Sequence, residues 1–307
     1  NPAIGVGPGN APVYVDSSAD IDKAANRIIE SKSFDNSVLC TNESVLITLP
    51  EVDKQLRQSL KKYGAYFCND DDTSRLRRYL FHGAGFNIET IGRDATWIAK
   101  ECGIRVPEKT AILAAPIDQI GIEEPLSREK LCPVLAYHVA KNRDQAIMQA
   151  RAVLRLTGAG HSAAVHATDE TVTMAFARAL EVYRIVVNAP CSQGAAGFGT
   201  ALAPTFTIGT GFFGRSSIGE NIGPEHLVHW TKLAYNEDTS EKFGDYFGVG
   251  NNFSGPLPSA PEDGVPGAGH YHFAPPTASM NADPLSSITR TELRQMIAEE
   301  LRGALRG

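Results

Sequence analysis

The 307-residue sequence contains no apolar run long enough to span a membrane. Crossing the hydrocarbon core of a bilayer takes about 18 or more consecutive apolar residues, and no stretch of the chain reaches that length. The opening residues, NPAIGVGPGN, also lack the basic and apolar segments of a secretory signal peptide. The sequence therefore predicts a protein without a membrane span or membrane partner, and we expect it to reside in the cytoplasm.

Cysteine is scarce, and the chain has none of the close cysteine pairs that bind zinc. The five cysteines are odd in number and widely spaced: Cys40, Cys68, Cys102, Cys132 and Cys191. Zinc sites typically use Cys-x-x-Cys pairs, and disulfide-rich domains carry an even number of cysteines at short spacings. We therefore expect reduced thiols, as in a cytosolic protein, and no metal site.

Two further absences concern charge and the start of the chain. The net charge is -6 and the isoelectric point is near 5.8, so the basic excess typical of nucleic-acid binding is missing. The chain also begins without an initiator methionine, inside a glycine-rich turn. We therefore expect that an N-terminal portion of the protein is missing from this chain.

Apolar strands alternate with amphipathic helical patterns over residues 11–190. The predicted strands cover 11–16, 44–50, 110–117, 132–140, 161–167 and 183–190. The predicted helices cover 19–34, 51–64, 92–104, 143–158 and 169–181. Strands separated by helices of this length form a mostly parallel sheet that is covered on both faces. The sequence therefore predicts an α/β fold.

The last hundred or so residues change character twice. Residues 191–236 are dense in glycine with interleaved aromatic residues, a pattern typical of the lining of a site or an interface, and residues 237–286 form a Gly/Pro-rich linker. Residues 287–307 predict a short amphipathic helix that begins with the capping pair Thr289 and Glu292. An isolated helix of this length is marginal in water, so we expect it to dock either on a partner or on its own domain.

Cys40 lies within SFDNSVLCTNES, a polar and turn-prone stretch between a predicted helix and the apolar strand SVLITLP. A cysteine that only packs is normally found inside an apolar run. A catalytic thiolate needs access and stabilising dipoles, and a turn at the end of an element supplies both more easily than a core position. We therefore interpret Cys40 as a candidate nucleophile and the other four cysteines as packing residues.

Other chemistry-bearing residues are interpreted as structural. His161 and His166 lie on one predicted strand, and NDDD at 69–72 reads as a solvated loop and a helix start. The pair of histidines at 270 and 272 lies in the proline-rich linker without further metal ligands. The stretch 210–213 is interpreted either as lining of a substrate pocket or as a structural loop.

Several stretches together carry a family resemblance. They are GVGPGNAPVYVD, SFDNSVLC, REKLCPVLA, GHSAAVH, NAPCSQGAAG and LAPTFTIGTGFFGRSSIGENIGP. In this order and spacing they resemble the aldehyde dehydrogenase superfamily, and within it the CoA-acylating branch of acetaldehyde and propanal dehydrogenases. The resemblance covers residues 1 to about 235 and finds no counterpart for most of the family's N-terminal NAD domain.

The resemblance implies a fold and its boundaries. It implies a three-layer catalytic domain over 17–204, preceded by a remnant of the cofactor domain at 1–16 and followed by a glycine-rich segment at 205–236. The family is usually a dimer or tetramer, so the resemblance also implies a homo-oligomer. Because hydride transfer needs the missing NAD domain, we expect the isolated chain to be inactive.

The resemblance also implies roles for individual residues. Cys40 would attack a short-chain aldehyde, pass hydride to NAD and hold the acyl group as a thioester that coenzyme A removes. Glu129 would grip the nicotinamide ribose hydroxyls. The remaining candidates are Gly7 and Gly9 for the cofactor, and Thr41, Thr210 and Phe212 for the substrate.

Val6 departs from the pattern of the family's hydrolytic members, which carry a glutamate at this point of the glycine-rich stretch. That glutamate activates water, and losing a general base typically removes roughly 10²–10⁴-fold of rate. A thiol acceptor needs less help, because it is the better nucleophile at neutral pH. The departure therefore favours acyl transfer to coenzyme A over hydrolysis.

The C-terminal pattern resembles the extensions that target some enzymes of this branch into bacterial microcompartments. We therefore expect residues 287–307 to bind a shell protein. Two other hypotheses remain open at this point. Cys40 could serve a redox-independent acyltransferase or thioesterase, or the chain could be a docking protein without catalysis.

Overall fold

The computed structural model of the protein describes residues 4–82, 85–232 and 234. The chain divides into two units, Asn1–Leu233 and Ala234–Gly307, and the described residues belong almost entirely to the first. The predicted linker over 237–286 and the predicted helix over 287–307 lie outside the described residues. No described helix is both long enough and apolar enough to cross a bilayer.

The first unit is built on one parallel sheet of seven strands. In chain order they are β1 Ala11–Val15, β2 Glu43–Thr48, β3 Ala65–Phe67, β6 Ile112–Pro116, β7 Val134–Val139, β8 Gly160–His166 and β9 Val182–Val187. Their order across the sheet is β3-β6-β7-β2-β1-β8-β9, and a separate antiparallel pair consists of β4 Phe81–His82 and β5 Gly85–Phe86. Every residue of β1, β2 and β8 is buried, as expected for inner strands of a sheet covered on both faces.

Seven helices surround the sheet. They are α1 Ile21–Ser33, α2 Pro50–Lys62, α3 Asp70–Leu80, α4 Ala95–Glu101, α5 Arg143–Leu156, α6 Glu170–Ala179 and α7 Cys191–Ala195 among the described residues. Five of them begin at a side chain that accepts a first-turn backbone N–H: Asp20, Asn69, Asp94, Asn142 and Asp169. Such caps satisfy otherwise unpaired donors and fix where each helix starts.

The helices cover both faces of the sheet. The crossovers through α1 and α2 run toward the β3 edge, whereas those through α5 and α6 run toward the β9 edge. Parallel crossovers are almost always right-handed, so connections that run in opposite directions lie on opposite faces. The packing agrees, because α1 contacts α2 and α5 contacts α6. The predicted three-layer α/β architecture is therefore confirmed.

The sequence prediction missed three strands, β3, β4 and β5, and two helices, α3 and α7. All six predicted strands and all five predicted helices are present within a few residues of their expected bounds. The missed strands have only two or three residues each, and the missed helix α7 has five. The missed helix α3 is strongly polar, with three aspartates in its first turn. The helix start predicted at 69–72 is confirmed, because Asn69 and Asp72 form a reciprocal capping box.

The parallel arrangement gathers several loops at one edge of the sheet. The segments that lead into β1, β2, β7 and β8 all meet at the amino ends of the strands. This amino edge therefore carries Gly9 before β1, Cys40 before β2 and Glu129 before β7.

His166, the last residue of β8, is fully buried, and neither of its ring nitrogens has a partner among the described residues. Burial lowers the pKa of this imidazole to about 4, and the charge of Arg27 acts in the same direction. The unfolded chain holds histidine near its ordinary pKa of about 6.5. Between these two values the unfolded state binds more protons, so stability falls as the pH falls.

We expect His166→Phe to reduce the acid sensitivity of the fold. The free energy of unfolding of the variant, relative to wild type, should rise by about 1 kcal/mol for each unit by which the pH is lowered from roughly 6 to 4.5. The reason is that the variant no longer takes up a proton on unfolding. Urea unfolding at several pH values measures this difference. Phe176→Leu, a core substitution without a titratable group, should shift stability equally at every pH. Parallel pH curves for His166→Phe and wild type would contradict the prediction.

Candidate active site

Cys40 lies at the end of an irregular turn that connects α1 to β2, and its side chain is half-buried. Three consecutive residues before it, Asp35, Asn36 and Ser37, adopt left-handed backbone conformations with φ of 48°, 47° and 65°. This conformation costs an L-residue roughly 1–2 kcal/mol, with Asn and Asp at the low end. The turn is therefore strained and needs support from its surroundings.

Asn42 and Lys32 provide this support from beneath the turn. The Asn42 side-chain amide donates to the carbonyls of Ser37 at 3.0 Å and Leu39 at 2.6 Å. The Lys32 ammonium donates to Asn42 Oδ1 at 2.5 Å. Both side chains are buried, with exposures of 0% for Lys32 and 1% for Asn42. The segment that carries Cys40 is thus bound to α1 through two buried polar side chains.

Gly9 brings the glycine-rich N-terminal stretch against the candidate nucleophile. Its backbone N–H donates to Glu129 Oε1 at 3.2 Å. A Cβ atom on Gly9 would lie 2.1 Å from the Cys40 carbonyl oxygen and 3.0 Å from Glu129 Oε1, so no other residue fits here without a shift. Two residues earlier, the Gly7 N–H donates to Thr210 Oγ1 at 3.0 Å. Gly9, Cys40 and Glu129 are therefore immediate neighbours.

The thiol and the carboxylate influence each other electrostatically. Burial raises the pKa of Cys40, and the charge of Glu129 adds to this rise, while the Arg184 charge and a backbone hydrogen bond oppose it. Burial raises the pKa of Glu129 to about 7, against the Gly9 N–H and the charges of Lys32 and Lys130. Glu129 is therefore poised to exchange a proton near neutral pH.

Arg184 is a site residue that the sequence analysis missed. It lies in β9 at 3% exposure, and its guanidinium donates to the carbonyls of Gly209 and Gly219 in the glycine-rich segment. Burial lowers its pKa to about 10, and the Cys40 charge opposes that shift. Its Nε has no partner among the described residues. The available signal was an arginine in the middle of the apolar strand YRIVVN.

A buried polar cluster ties the same turn to α7. Glu43 accepts hydrogen bonds from the Ser31 hydroxyl at 2.5 Å and from the Cys191 N–H at 3.1 Å. Burial raises the pKa of Glu43 to about 7. The Thr41 hydroxyl donates to the Ser192 carbonyl at 2.8 Å, and Thr41 is 1% exposed. Because that hydroxyl is already engaged in the interior, a substrate contact from Thr41 would have to come from its backbone.

The other predicted substrate residues differ in exposure. Thr210 is fully buried, and its hydroxyl donates to Ser216 Oγ at 2.9 Å while accepting from Gly7. Phe212 is 84% exposed, and its ring contacts only the edge of Phe213, at 5.9 Å, among the described aromatic pairs. Of the predicted site residues, the structure therefore brings together Cys40, Glu129 and Gly9, with Gly7 and Thr210 adjoining. The predicted contacts of Thr41, Thr210 and Phe212 with substrate stay predictions.

His161 lies at the start of β8, near the same arginine. The ring is fully buried, and its Nδ1 lies 3.0 Å from Ser162 Oγ, which fits the structural interpretation. Its Nε2 has no partner in the described part of the chain. Burial and the charge of Arg184 lower its pKa to about 3, so the ring is neutral at physiological pH.

Gly9, Cys40 and Glu129 form one side of the candidate site, which we call the wall. None of four clefts, the largest of about 790 Å³, is lined by Cys40. Within residues 4–82, 85–232 and 234, no group of three or more His, Cys, Asp or Glu could hold a metal ion. Glu129, a partly buried carboxylate on the same wall as Cys40, fits the ribose hydroxyls of a dinucleotide, since a carboxylate accepts hydrogen bonds from such groups.

The chain is similar in sequence to known dehydrogenases. No family model matches the chain. The chain is 39% identical over 242 residues to an aldehyde-alcohol dehydrogenase of Streptococcus pneumoniae, an alignment that covers 76% of this chain and 27% of the relative. It is also similar to the acetylating succinate-semialdehyde dehydrogenase of Clostridium kluyveri, with 35% identity over 76% of this chain and 52% of the relative.

Solved structures share the fold. An acetylating aldehyde dehydrogenase from Geobacillus thermoglucosidasius superposes with a TM-score of 0.72 and 34% identity, over 77% of this chain and 53% of that one. A propionaldehyde dehydrogenase from a Clostridium phytofermentans fucose-utilisation microcompartment gives 0.64 and 32%, over 70% and 49%. A Rhodopseudomonas palustris propionaldehyde dehydrogenase with bound propionyl-CoA gives 0.63 and 32%, over 70% and 47%.

The chain spans about half the length of these solved structures and about a quarter of the aldehyde-alcohol dehydrogenase. The matches agree with one another in sequence and in fold. In sequence and in fold, this chain therefore matches part of the aldehyde dehydrogenases, and its relatives include acetylating enzymes.

Proposed function

We propose that the protein containing this chain is a CoA-acylating aldehyde dehydrogenase, which oxidises a short-chain aldehyde to its acyl-CoA with NAD through a thioester on Cys40. The observation that carries the proposal is an accessible thiol, Cys40, at the amino edge of the sheet and against Glu129. The names of the relatives support the reaction class, since they include acetylating dehydrogenases and an enzyme with bound propionyl-CoA.

Cys40 performs the covalent chemistry. Its thiolate sulfur forms a bond to the aldehyde carbonyl carbon, and the oxygen that becomes negative accepts a hydrogen bond from the Cys40 N–H. Bound NAD supplies the acceptor for the hydride that leaves this carbon. The acyl group then remains on Cys40 as a thioester, until the thiolate of coenzyme A attacks the acyl carbon and the Cys40 thiolate leaves.

The surrounding charges decide when Cys40 reacts. The pKa of its thiol is raised by burial and by Glu129, so the free site holds the thiol largely protonated at neutral pH. Arg184 favours the thiolate. A protonated Glu129, or one whose charge is taken up by hydrogen bonds from a bound cofactor, no longer opposes ionisation of the thiol. Occupancy near Glu129 therefore activates the nucleophile.

The side of the wall that binds the cofactor is proposed to consist of Glu129, Gly7 and Gly9. Glu129 would accept hydrogen bonds from the ribose hydroxyls, and Gly9 fixes the carboxylate through its N–H. Gly7 leaves room beside Thr210, because a Cβ atom there would lie 2.8 Å from Thr210 Oγ1. Thr210 and Phe212 remain our candidates for the aldehyde side.

Assembly is proposed at two levels. The family resemblance supports a homo-oligomer. The amphipathic pattern of residues 287–307 supports docking to a microcompartment shell protein, and one structural relative comes from such a compartment.

Cys40→Ser should lower CoA-dependent NADH formation by roughly 10³-fold or more, because the covalent intermediate cannot form. The measurement follows NADH absorbance with propanal, NAD and coenzyme A, using the protein that contains this chain. Cys68→Ala is the matched control, since this buried cysteine directly follows β3, at the carboxyl ends of the strands and opposite the edge that carries Cys40. Retained activity in Cys40→Ser would refute the assignment of the nucleophile.

Val6→Glu should speed hydrolysis of the Cys40 thioester, so that water replaces coenzyme A as the acceptor of the acyl group. A carboxylate at this position supplies the missing base, so NADH formation without coenzyme A should rise by roughly 10²-fold. Val6 is 50% exposed, so a charged side chain costs little here. Val6→Gln has the same size without a base and should leave hydrolysis at the wild-type level. If Val6→Glu and Val6→Gln form NADH without coenzyme A at equal rates, the inference that the site lacks a general base at residue 6 is wrong.

Ile297→Glu should release the enzyme from co-expressed microcompartment shells, because it places a charge on the predicted apolar face of the C-terminal helix. Gln295→Glu adds the same charge on the predicted polar face and should still co-sediment with shells. Sedimentation followed by immunoblotting compares the two variants. If both remain in the shell fraction, the docking helix hypothesis fails.

A further inference from the structure

Lys32 is a buried cation that the proposed reaction does not use. It is fully buried near the end of α1, and none of the ion pairs among the described residues includes it. Its Nζ donates to Asn42 Oδ1 at 2.5 Å and to the Lys130 carbonyl at 3.4 Å. The charges of Glu43 and Glu129 favour its ammonium form, but burying a cation is costly, and apolar residues of similar volume often replace buried ionic groups without loss. Its retention therefore calls for a role beyond packing.

The two acceptors of Lys32 lie on the two segments that form the site. Asn42 is two residues after Cys40 and holds the strained turn before it through the Ser37 and Leu39 carbonyls. Lys130 directly follows Glu129. One nitrogen atom thus joins the segment of the nucleophile to the segment of the carboxylate.

We infer that Lys32 is a positioning residue, which acts through Asn42 to hold the Cys40 turn in its strained conformation and in fixed register with the Glu129 segment. The inference rests on the proposed function of Cys40 as a nucleophile. Without Lys32, the Asn42 amide loses the partner that orients it and can rotate away from the two carbonyls. Residues 35–37 then relax toward ordinary backbone conformations, and the thiol loses its fixed direction relative to its own N–H.

Two reagents distinguish a change in the orientation of the Cys40 thiol from a change in its accessibility. Alkylation by iodoacetamide requires only an accessible thiolate. Acylation by p-nitrophenyl acetate also requires that the oxyanion meet a donor, so it depends on geometry. In the acylation, the Cys40 sulfur bonds to the acetyl carbon and p-nitrophenolate leaves, so neither a hydride acceptor nor coenzyme A is needed. Both reactions can be measured on this chain as it stands.

We expect Lys32→Met and Asn42→Leu each to lower the ratio of acylation rate to alkylation rate at Cys40 by about tenfold or more. Rates are taken over a range of pH, so that the plateau of each profile removes differences in thiolate fraction. The double variant should lose no more than either single one, because the two residues act as a unit. Mass spectrometry of the Cys40 peptide confirms the modified residue, and urea unfolding reports stability separately.

Lys130→Met is the matched control. Lys130 is also fully buried, but its ammonium donates to the carbonyls of Leu126 and Arg128 and not to the Cys40 turn. It should lower stability and leave the rate ratio within about twofold, which is the pattern of a purely structural role. If Lys32→Met behaves like Lys130→Met, the positioning role is refuted. If wild-type Cys40 reacts no faster than the buried cysteines, the proposed function itself fails instead.

Discussion

The parallel pairing of β1 with β2, and of β2 with β7, is the constraint on which the site depends. Ala11 pairs with Glu43, and Val45 pairs with Ala136. Strands in this register leave their preceding loops side by side, although Gly9 and Glu129 are 120 residues apart in the chain. The absence of a side chain at Gly9 then lets these loops touch. The arrangement of the candidate site is thus a consequence of sheet register and of one close backbone approach.

Much of this arrangement could be predicted, for physical reasons that differ between its parts. Inner strands and capped helices leave a local pattern in sequence, so their existence was predictable, and the short β3 and the polar α3 were missed because they leave little apolar pattern. Cys40 was predicted as a nucleophile because a thiol in a polar turn is unusual, and Glu129 was predicted as a cofactor contact from the family resemblance; the structure brings the two residues together.

The supporting residues could not be predicted from local pattern. Arg184, Lys32 and Asn42 act on backbone carbonyls of segments that sequence periodicity does not connect to them. The inward direction of Thr41 was likewise invisible, because a turn has no fixed alternation of faces. Side chain to backbone contacts across the fold appear only when the loops are in place.

The position of the candidate site at the amino edge of the sheet explains why buried basic side chains are found there. Open parallel sheets usually bind ligands at the carboxyl ends of their strands, where the N-termini of the connecting helices supply positive potential. At the amino edge the same helices present their C-termini, and α1 ends at Ser33, shortly before Cys40. This end carries partial negative charge, which disfavours a thiolate. Every buried lysine and arginine of the described chain lies near this edge: Lys32, Lys130 and Arg184. The charge of Arg184 favours the Cys40 thiolate and that of Lys32 offsets Glu129, so an anionic sulfur can form at a place where the backbone alone would oppose it.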